Sequence, residues 1–366
     1  MKIRLNKPFF PNRFYSSLNN LLEDGFLTEG KLTKKFEERL KDLLQVKYVV
    51  CVTSATVGID LAIKSLMLNK KDEVIAPNFT YPATINPLIL NKIKLKVIDC
   101  EYHSMNICFK SLEKNLNNNI KVVLPVSTFG NPIDYDKLNF FKRKFKFKVL
   151  EDAAGALGSE FNNVKTGSHA DITVFSFHPR KSITTGEGGA IATNNKRIYE
   201  WLKRMKNFGI VYNKDKVNFE HVGLNYKFPD LLSYFGLLQL DLFEKFQKKK
   251  NDIASFYIDQ LKNSNLTFQK ITNKGKHSFQ SFCVLVKNRD KILNKMKEKG
   301  IEVQIGYYAM SKLNCYKNEN VEFTKNLEQS ELAAKDSLCL PLYFTLKKKE
   351  QEYVIKNLKN LLNKEN

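Results

Sequence analysis

Long apolar runs are absent from this chain of 366 residues, and no stretch approaches the roughly 18 apolar residues that a membrane helix needs. The first residues, 1–8, also lack the apolar core of a secretory signal peptide. Both absences favour a cytoplasmic protein that has no membrane partner.

Cysteine pairs are missing as well. The six cysteines are dispersed along the chain and none forms a C-x-x-C pair, which argues against a zinc site and against a disulfide framework. Cys51 and Cys100 lie in apolar, strand-like runs, where a free thiol behaves as a small hydrophobic side chain. We therefore expect free core thiols and no metal site.

Arginine is scarce: the chain has eight arginines among its 60 basic residues, so the other 52 are lysines, and the net charge is +22. The lysines are spread over the whole chain, and the short runs 248–250 and 347–349 are typical of solvated helix ends. This distribution argues against a nucleic-acid partner. A basic surface would still attract an anionic, phosphate-bearing substrate.

The composition, with 43% hydrophobic and 27% charged residues, is that of a folded globular protein, and the length allows two domains. Between about residues 33 and 205, short apolar runs alternate with helical segments such as 56–67. The strand-like runs are 48–52, 73–77, 95–99, 122–126, 148–152 and 172–176. This alternation predicts an α/β fold with a mostly parallel central sheet and helices on both faces.

The C-terminal part has a different pattern. Residues from about 230 to 262 are strongly helical and amphipathic. Beyond them, the apolar runs 281–286 and 303–305 alternate with helical segments at about 290–299 and 347–363. We predict a large α/β domain over residues 1–240 and a small α+β domain over residues 241–366, with the first residues packing on the small domain.

Three distinctive segments, 53–56, 151–154 and 176–181, follow predicted strands, and functional loops gather at the carboxyl ends of such strands. The last of them presents Lys181 just before Gly186, Gly188 and Gly189, which allow a tight backbone path. A lysine that forms a Schiff base must be held at one place with its amine deprotonated. The alternative interpretation is a surface lysine in a glycine turn.

Asp152 ends an apolar strand, where a carboxylate is costly unless it meets a cation. The protonated ring nitrogen of a pyridine cofactor is such a cation; the alternative is a helix-capping aspartate. Ser54, Ala55 and Thr56 join a strand to a helix, so that they form either an anion site or an ordinary cap. Tyr81 follows the next strand and offers an aromatic face to a flat ring.

Taken in order, these motifs resemble the DegT/DnrJ/EryC1/StrS family of sugar aminotransferases, which depend on pyridoxal 5'-phosphate (PLP) and have the type I fold. The resemblance extends over nearly the whole chain, and its most specific part is the segment from Phe175 to Gly189. The other matching segments are 26–30, 36–37, 54–56, 72–77, 129–132, 151–154, 223–226 and 337–342.

The resemblance implies roles for individual residues. Lys181 would form the Schiff base and move the proton, Asp152 would pair with the ring nitrogen, and Tyr81 would stack on the ring. The phosphate would be held by Ser54, Ala55, Thr56 and Ser176, and by Asn225 of a neighbouring subunit, so that the active site needs a homodimer. The residues implied in substrate binding are Thr28, His178, Lys227 and Tyr308.

Three positions depart from the family pattern. Gly155 stands where the family often has Gln, His or Glu, which removes a contact near the ring hydroxyl of the cofactor. Lys227 replaces an arginine, and a lysine cannot make the same bidentate contact with an anion. The loop 306–312 lacks a frequent histidine. All three concern substrate recognition more than the chemical core.

The resemblance implies a ping-pong transfer of the amino group of L-glutamate to a ketone. The expected acceptor is a nucleotide-linked keto-sugar for surface polysaccharide biosynthesis. The alternative is a small phosphorylated ketone such as dihydroxyacetone phosphate, which would give serinol phosphate for capsule decoration. A cofactor-binding regulator without turnover is a third hypothesis. Family members that act as dehydratases carry histidine at the position of Lys181, so that branch is not expected here.

Overall fold

A computed structural model describes residues 2–213 and 216–363. Its α-helices are α1 (Arg13–Asp24), α2 (Lys31–Leu44), α3 (Ala55–Ser65), α4 (Pro82–Leu90), α5 (Phe109–Asn115), α6 (Tyr135–Phe145), α7 (Lys196–Met205), α8 (Asp230–Asp241), α9 (Phe243–Leu261), α10 (Arg289–Glu298), α11 (Glu328–Asp336) and α12 (Lys348–Asn363). Within these described ranges, none of the helices is long and apolar enough to cross a lipid bilayer.

The strands form one large sheet and several small ones. They are β1 (Tyr48–Val52), β2 (Glu73–Pro77), β3 (Phe79–Thr80), β4 (Lys94–Ile98), β5 (Ile120–Val123), β6 (Lys148–Asp152), β7 (Glu160–Phe161), β8 (Val164–Lys165), β9 (Ile172–Ser176), β10 (Gly189–Thr193), β11 (Ile210–Asn213), β12 (Lys216–Phe219), β13 (Thr267–Phe268), β14 (Gly275–Lys276), β15 (Phe282–Leu285), β16 (Gln304–Ile305), β17 (Tyr308–Ala309), β18 (Val321–Phe323) and β19 (Ser337–Leu340).

The large sheet has eight strands in the order β1-β10-β9-β6-β5-β2-β4-β18. Every pairing from β9 to β18 is parallel, and β10 is antiparallel to both of its neighbours. Successive side chains of β2 enter different cores, since Val74 and Ala76 pack in one cluster and Ile75 in another. Helices therefore cover both faces, and the predicted mostly parallel α/β fold is confirmed.

A four-stranded antiparallel sheet in the order β13-β15-β19-β16 forms the small C-terminal unit. Helices α9, α10 and α12 pack on it around buried residues such as Tyr257, Met296 and Leu358. Ile3 is buried in the same cluster, and its amide donates a hydrogen bond to the carbonyl of Gly300 at 2.8 Å. The division at residues 240/241 stays a prediction.

The segment from 230 to 262, which the sequence pattern presents as helical throughout, is divided into two helices at Leu242. Its φ of −106° and ψ of 0° end α8 and begin α9. Because of this break, α8 packs on α2 of the large domain, whereas α9 packs on α12 of the small one.

Two strands from the C-terminal part cross to the large domain. β18 pairs in parallel with β4 at the edge of the large sheet, with Glu322 opposite Lys96. β17 pairs antiparallel with β3, with Tyr308 opposite Thr80. These two pairings hold the segment around Tyr308 against the carboxyl ends of the large sheet, where the candidate site lies.

Candidate functional site

A cavity of about 360 Å³ opens between the large sheet and the small domain. Its wall includes the residues that follow β1, β6 and β9, because parallel strands place their carboxyl ends at one edge. The predicted site residues on this wall are Ser54, Ala55, Thr56, Tyr81, Asp152, Ser176, His178, Lys181 and Tyr308. The structure thus brings nine of the predicted residues together.

Three predicted residues, Thr28, Asn225 and Lys227, lie outside this cavity and close to one another. The carbonyl of Thr28 accepts a hydrogen bond from the amide of Asp230 at 3.0 Å. Lys227 Nζ donates to the Asn207 side chain at 3.3 Å, and Asn225 forms a β-bridge with that same Asn207. They form a second group on the surface around the C-terminal end of α7, which we call the outer group.

Lys181 lies in the turn after β9. Its amide donates to the carbonyl of His178 at 2.9 Å, and the amide of Phe177 donates to the carbonyl of Gly188 at 2.9 Å. These bonds close the loop that presents the side chain. Burial lowers the pKa of the Lys181 ammonium group, while Asp152 opposes this effect and Arg180 adds to it. The environment therefore favours the neutral, nucleophilic amine.

Asp152 is buried at the end of β6 and accepts two hydrogen bonds. Thr84 Oγ1 donates to Oδ2 at 2.6 Å, and the amide of Ala154 donates to Oδ1 at 3.0 Å. Thr80 Oγ1 lies 2.6 Å from Thr84 Oγ1, and it must be the donor because the Thr84 hydrogen points to Asp152. The sequence analysis missed both threonines, although their i, i+4 spacing was visible beside Tyr81.

The anion end of the cavity is built around the start of α3. Ser54 caps the helix, with Oγ accepting from the amide of Val57 at 3.2 Å, and the first amides of a helix have no acceptor inside it. A Cβ on Gly189 would stand only 2.6 Å from the nitrogen of Ala55, so this glycine lets β10 lie against the helix start. Ser176 Oγ accepts from the amide of His178 at 3.3 Å and keeps its own hydrogen for a ligand.

Aromatic side chains form part of the wall. Tyr81 is 55% exposed, and its ring centre lies 6.2 Å from that of Tyr308. Tyr307, which the sequence analysis did not single out, stacks on Phe129 at 4.5 Å. Burial and the nearby Asp152 raise the pKa of its phenol, so that Tyr307 stays neutral. The open face of Tyr81 is free to lie against a planar ligand.

Gly155 leaves space that another side chain fills. A Cβ at this position would stand 3.1 Å from Gln280 Oε1, and Gln280 lines the same cavity. The side-chain Nε2 of Gln280 donates to the carbonyl of Arg180 at 2.8 Å, and its backbone N–H donates to the carbonyl of Phe129 at 3.0 Å. A polar side chain from the C-terminal part of the chain therefore lies beside Gly155, and the expected loss of a contact at the ring hydroxyl stays a prediction.

These features fit the cofactor that the sequence analysis expects. The cavity combines a buried amine, a buried carboxylate held by two donors, an open aromatic face, and helix amides with two serine hydroxyls. PLP presents one counterpart to each of these, namely an aldehyde, a ring nitrogen, a flat ring and a phosphate. Within the described residues, no group of three or more His, Cys, Asp or Glu side chains could hold a metal ion.

The sequence profile of the DegT/DnrJ/EryC1/StrS aminotransferase family matches residues 11–359. The chain is 30% identical to a UDP-4-amino-4,6-dideoxy-N-acetyl-beta-L-altrosamine transaminase of Campylobacter jejuni, over 95% of this chain and 94% of that protein. It is also 30% identical to a dTDP-4-amino-4,6-dideoxy-D-glucose transaminase of Shigella dysenteriae, with 92% of each chain covered.

The fold is similar to that of Helicobacter pylori PseC, an aminotransferase involved in the biosynthesis of pseudoaminic acid. The TM-score is 0.93, the identity is 24%, and both chains are covered completely. The expected family, cofactor and class of enzyme are confirmed. The chain belongs to the DegT/DnrJ/EryC1/StrS aminotransferase family and is a PLP-dependent transaminase.

Proposed function

We propose that this enzyme transfers the amino group of L-glutamate to the ketone of a nucleotide-linked sugar, for the biosynthesis of a surface polysaccharide. The observation that carries the proposal is the convergence of Lys181, Asp152 and the start of α3 on one cavity. The named relatives from Campylobacter jejuni and Shigella dysenteriae are transaminases of UDP- and dTDP-linked amino sugars, which supports this substrate class.

When bound, PLP supplies an electron sink for the bond changes at the carbon that bears the amine. Lys181 would hold the cofactor and would move the proton at that carbon. Its burial suits both tasks, because a base must be neutral to accept a proton.

Asp152 holds the positive ring nitrogen, and Thr84 orients the carboxylate for this contact. Ser54, Thr56, Ser176 and the amide of Ala55 hold the phosphate at the positive end of α3. Tyr81 would cover one face of the ring.

We infer that the active site is completed by a second copy of the chain. The outer group, which contains Thr28, Asn225 and Lys227, does not reach the cavity of its own chain. Beside it lie the exposed apolar side chains of Val222 and Leu224, which are 95% and 53% exposed. Large exposed apolar side chains gathered beside polar ligands are typical of an interface. A symmetric dimer would bring Asn225 to the phosphate of its partner.

His178 and Tyr308 line the cavity and are the substrate contacts that this chain itself supplies. Burial lowers the pKa of His178, so that at neutral pH its imidazole is uncharged and serves as a hydrogen-bond partner. The named relatives do not favour the alternative acceptor, dihydroxyacetone phosphate, because their names specify nucleotide sugars.

The test is an absorption spectrum of the purified protein, before and after addition of glutamate and then with single ketones. We expect a yellow protein whose band bleaches with glutamate and returns with a keto-sugar nucleotide. Return with dihydroxyacetone phosphate alone would replace the proposed acceptor. Bleaching without return on any ketone would leave a cofactor-binding regulator, and the absence of a band after PLP addition would overturn the role of Lys181.

A further inference from the structure

A buried ion cluster lies next to the outer group. Its centre is the ammonium group of Lys206, at the C-terminal end of α7, whose side chain is 2% exposed. Its Nζ lies 2.9 Å from Oε2 of Glu29 and 3.3 Å from Oε1 of Glu37, and it donates to the carbonyl of Cys51 at 3.1 Å. An ammonium group has three N–H donors, so these three acceptors satisfy it.

One ammonium group thus faces two carboxylates. Burial alone would lower the pKa of Lys206, but the charges of Glu37 and Glu29 outweigh this effect and raise the pKa. Glu37 by itself balances the charge of Lys206, and it also accepts a hydrogen bond from the amide of Cys51 at 2.8 Å. Since a buried ion pair is weak evidence for stability, the presence of Glu29 has to be explained by what else this side chain holds.

Glu29 Oε2 accepts a second hydrogen bond, from the backbone N–H of Phe228 at 3.0 Å. Phe228 is fully buried, whereas Asn225, three residues earlier, is exposed. Thr28 of the outer group directly precedes Glu29 in the chain. The two stretches that carry the outer group, 28–29 and 225–228, therefore meet at one carboxylate oxygen.

The segment 221–229 has no helix or strand, apart from one β-bridge at Asn225. The backbone N–H of Tyr226 donates to the carbonyl of Lys206 at 2.8 Å, which fixes the middle of the segment. The hydrogen bond to Glu29 fixes its C-terminal end. A segment of this kind is held by individual bonds, so the loss of one lets it open locally.

We propose that Glu29 is a positioning residue for the outer group, because its carboxylate ties the segment that carries Asn225 to the buried ammonium group of Lys206. Asn225 does not line the cavity of its own chain, so Glu29 acts on the active site of the partner subunit. This inference rests on the proposed contact of Asn225 with the phosphate across the dimer.

The first measurement is the dissociation constant of PLP for the full-length apoprotein, followed by the absorbance of the lysine-bound cofactor. Glu29→Ala leaves Lys206 paired with Glu37, and it should weaken PLP binding about tenfold, since a displaced Asn225 loses its hydrogen bond to the charged phosphate. Glu29→Gln keeps an acceptor for Phe228 and should bind PLP within about twofold of the wild type. Wild-type affinity in Glu29→Ala would overturn the proposal.

Glu38→Ala, a change of a glutamate that is 57% exposed on α2, is the matched control and should bind PLP normally. Circular dichroism checks that each variant folds. If Glu29→Ala does not fold, Glu29→Asp replaces it, because its side chain is one carbon shorter and cannot span the donors on Phe228 and Lys206 together. The expected loss of PLP affinity is the same.

Mixed dimers, purified through a different affinity tag on each chain, separate this role from a general structural one. Lys181→Ala in one chain leaves a single site that gives the absorption band. Glu29→Ala is placed either on the chain that keeps Lys181 or on the Lys181→Ala chain, so both dimers contain the same two substitutions. We expect wild-type affinity in the first dimer and about tenfold weaker binding in the second.

The reverse order would mean that Glu29 serves the site of its own chain, and equal weakening in both dimers would mean a general loss of structure; either result overturns the proposal. A reference dimer joins a wild-type chain to a chain with Lys181→Ala and Asn225→Ala. Wild-type affinity there would overturn the shared site, and this inference with it. Weak binding there, with normal binding in both Glu29→Ala dimers, would overturn the role of Glu29 alone.

Discussion

Thr84 Oγ1 lies 2.6 Å from Oδ2 of Asp152 and joins the first turn of α4 to the end of β6. Since Thr80 in turn donates to Thr84, two hydroxyl groups in series support one carboxylate. A hydrogen bond to a charged group stabilises by about 1.5–3 kcal/mol, which is enough to matter for cofactor binding.

Thr84→Val should therefore weaken PLP binding by about tenfold, because Asp152 keeps only the amide of Ala154 as a donor. The dissociation constant is measured by titrating the apoprotein with PLP. Thr80→Val is the matched control, and its effect should be smaller, since its hydroxyl touches Asp152 only through Thr84. Wild-type affinity in Thr84→Val would show that this hydrogen bond has no part in holding the ring.

Lys181→Ala should purify without the absorption band of the lysine-bound cofactor, since no other lysine among the described residues lines the cavity. PLP should still bind through the phosphate and ring contacts, with a spectrum similar to that of the free cofactor. Lys196→Ala, a change of a lysine that is 73% exposed on α7, should keep the wild-type band. An unchanged spectrum in Lys181→Ala would remove Lys181 from its role.

Mixing two impaired variants tests whether Asn225 acts across the dimer. If each site combines Lys181 of one chain with Asn225 of the other, a mixed dimer of Lys181→Ala and Asn225→Ala chains contains one complete site. Random exchange of equal amounts should restore about a quarter of all sites, measured by cofactor retention after gel filtration. No recovery would mean that Asn225 serves its own chain or no site at all.

Glu151 is expected to make stability depend on pH. It is fully buried, it accepts hydrogen bonds from Ser127 and Tyr135 at 2.6 Å each, and burial raises its pKa from 4.5 to about 7. Because its folded-state pKa is raised, the stabilisation is present below about pH 4.5 and is lost as the pH rises through 7.

Glu151→Gln resembles the protonated form at every pH. Its free energy of unfolding, from urea denaturation, should exceed that of the wild type at pH 8 by an amount on the order of 3 kcal/mol at most, and by much less at pH 5. Glu101→Gln, an exposed change, should show no such difference. An equal gain at both pH values would show that Glu151 is ionised throughout.

The local pattern was sufficient to predict the strands with continuous apolar runs. β1, β2, β6 and β9 have the predicted bounds, because strands buried on both faces form continuous runs of apolar, often β-branched residues. β10 was not predicted, since Gly189 to Thr193 consists mostly of small residues and its antiparallel place between β1 and β9 depends on contacts distant in sequence. β18 was missed because it has only three residues and its pairing with β4 depends on contacts distant in sequence.

In the candidate site, too, residues in local motifs could be predicted, whereas residues that depend on contacts distant in sequence could not. Lys181, Asp152 and Ser54 could be found because each lies at the end of a strand or within five residues of it, where a motif is visible in a few residues. Gln280 could not be found, because it reaches the site from the C-terminal part of the chain and no nearby residue indicates its direction. A gap such as Gly155 is visible in the sequence, but the side chain that fills it is not.

The pairing of β18 with β4 has a consequence for engineering. Residues 321–323 form the edge strand of a sheet whose other strands all precede residue 194. The N-terminal and C-terminal parts of the chain therefore share one sheet and cannot be exchanged independently. A chimera joined near residue 240 with the C-terminal half of a relative would give this sheet a foreign edge strand. To change the acceptor specificity, grafts should replace individual loops around the cavity and keep the pairing of β4 with β18.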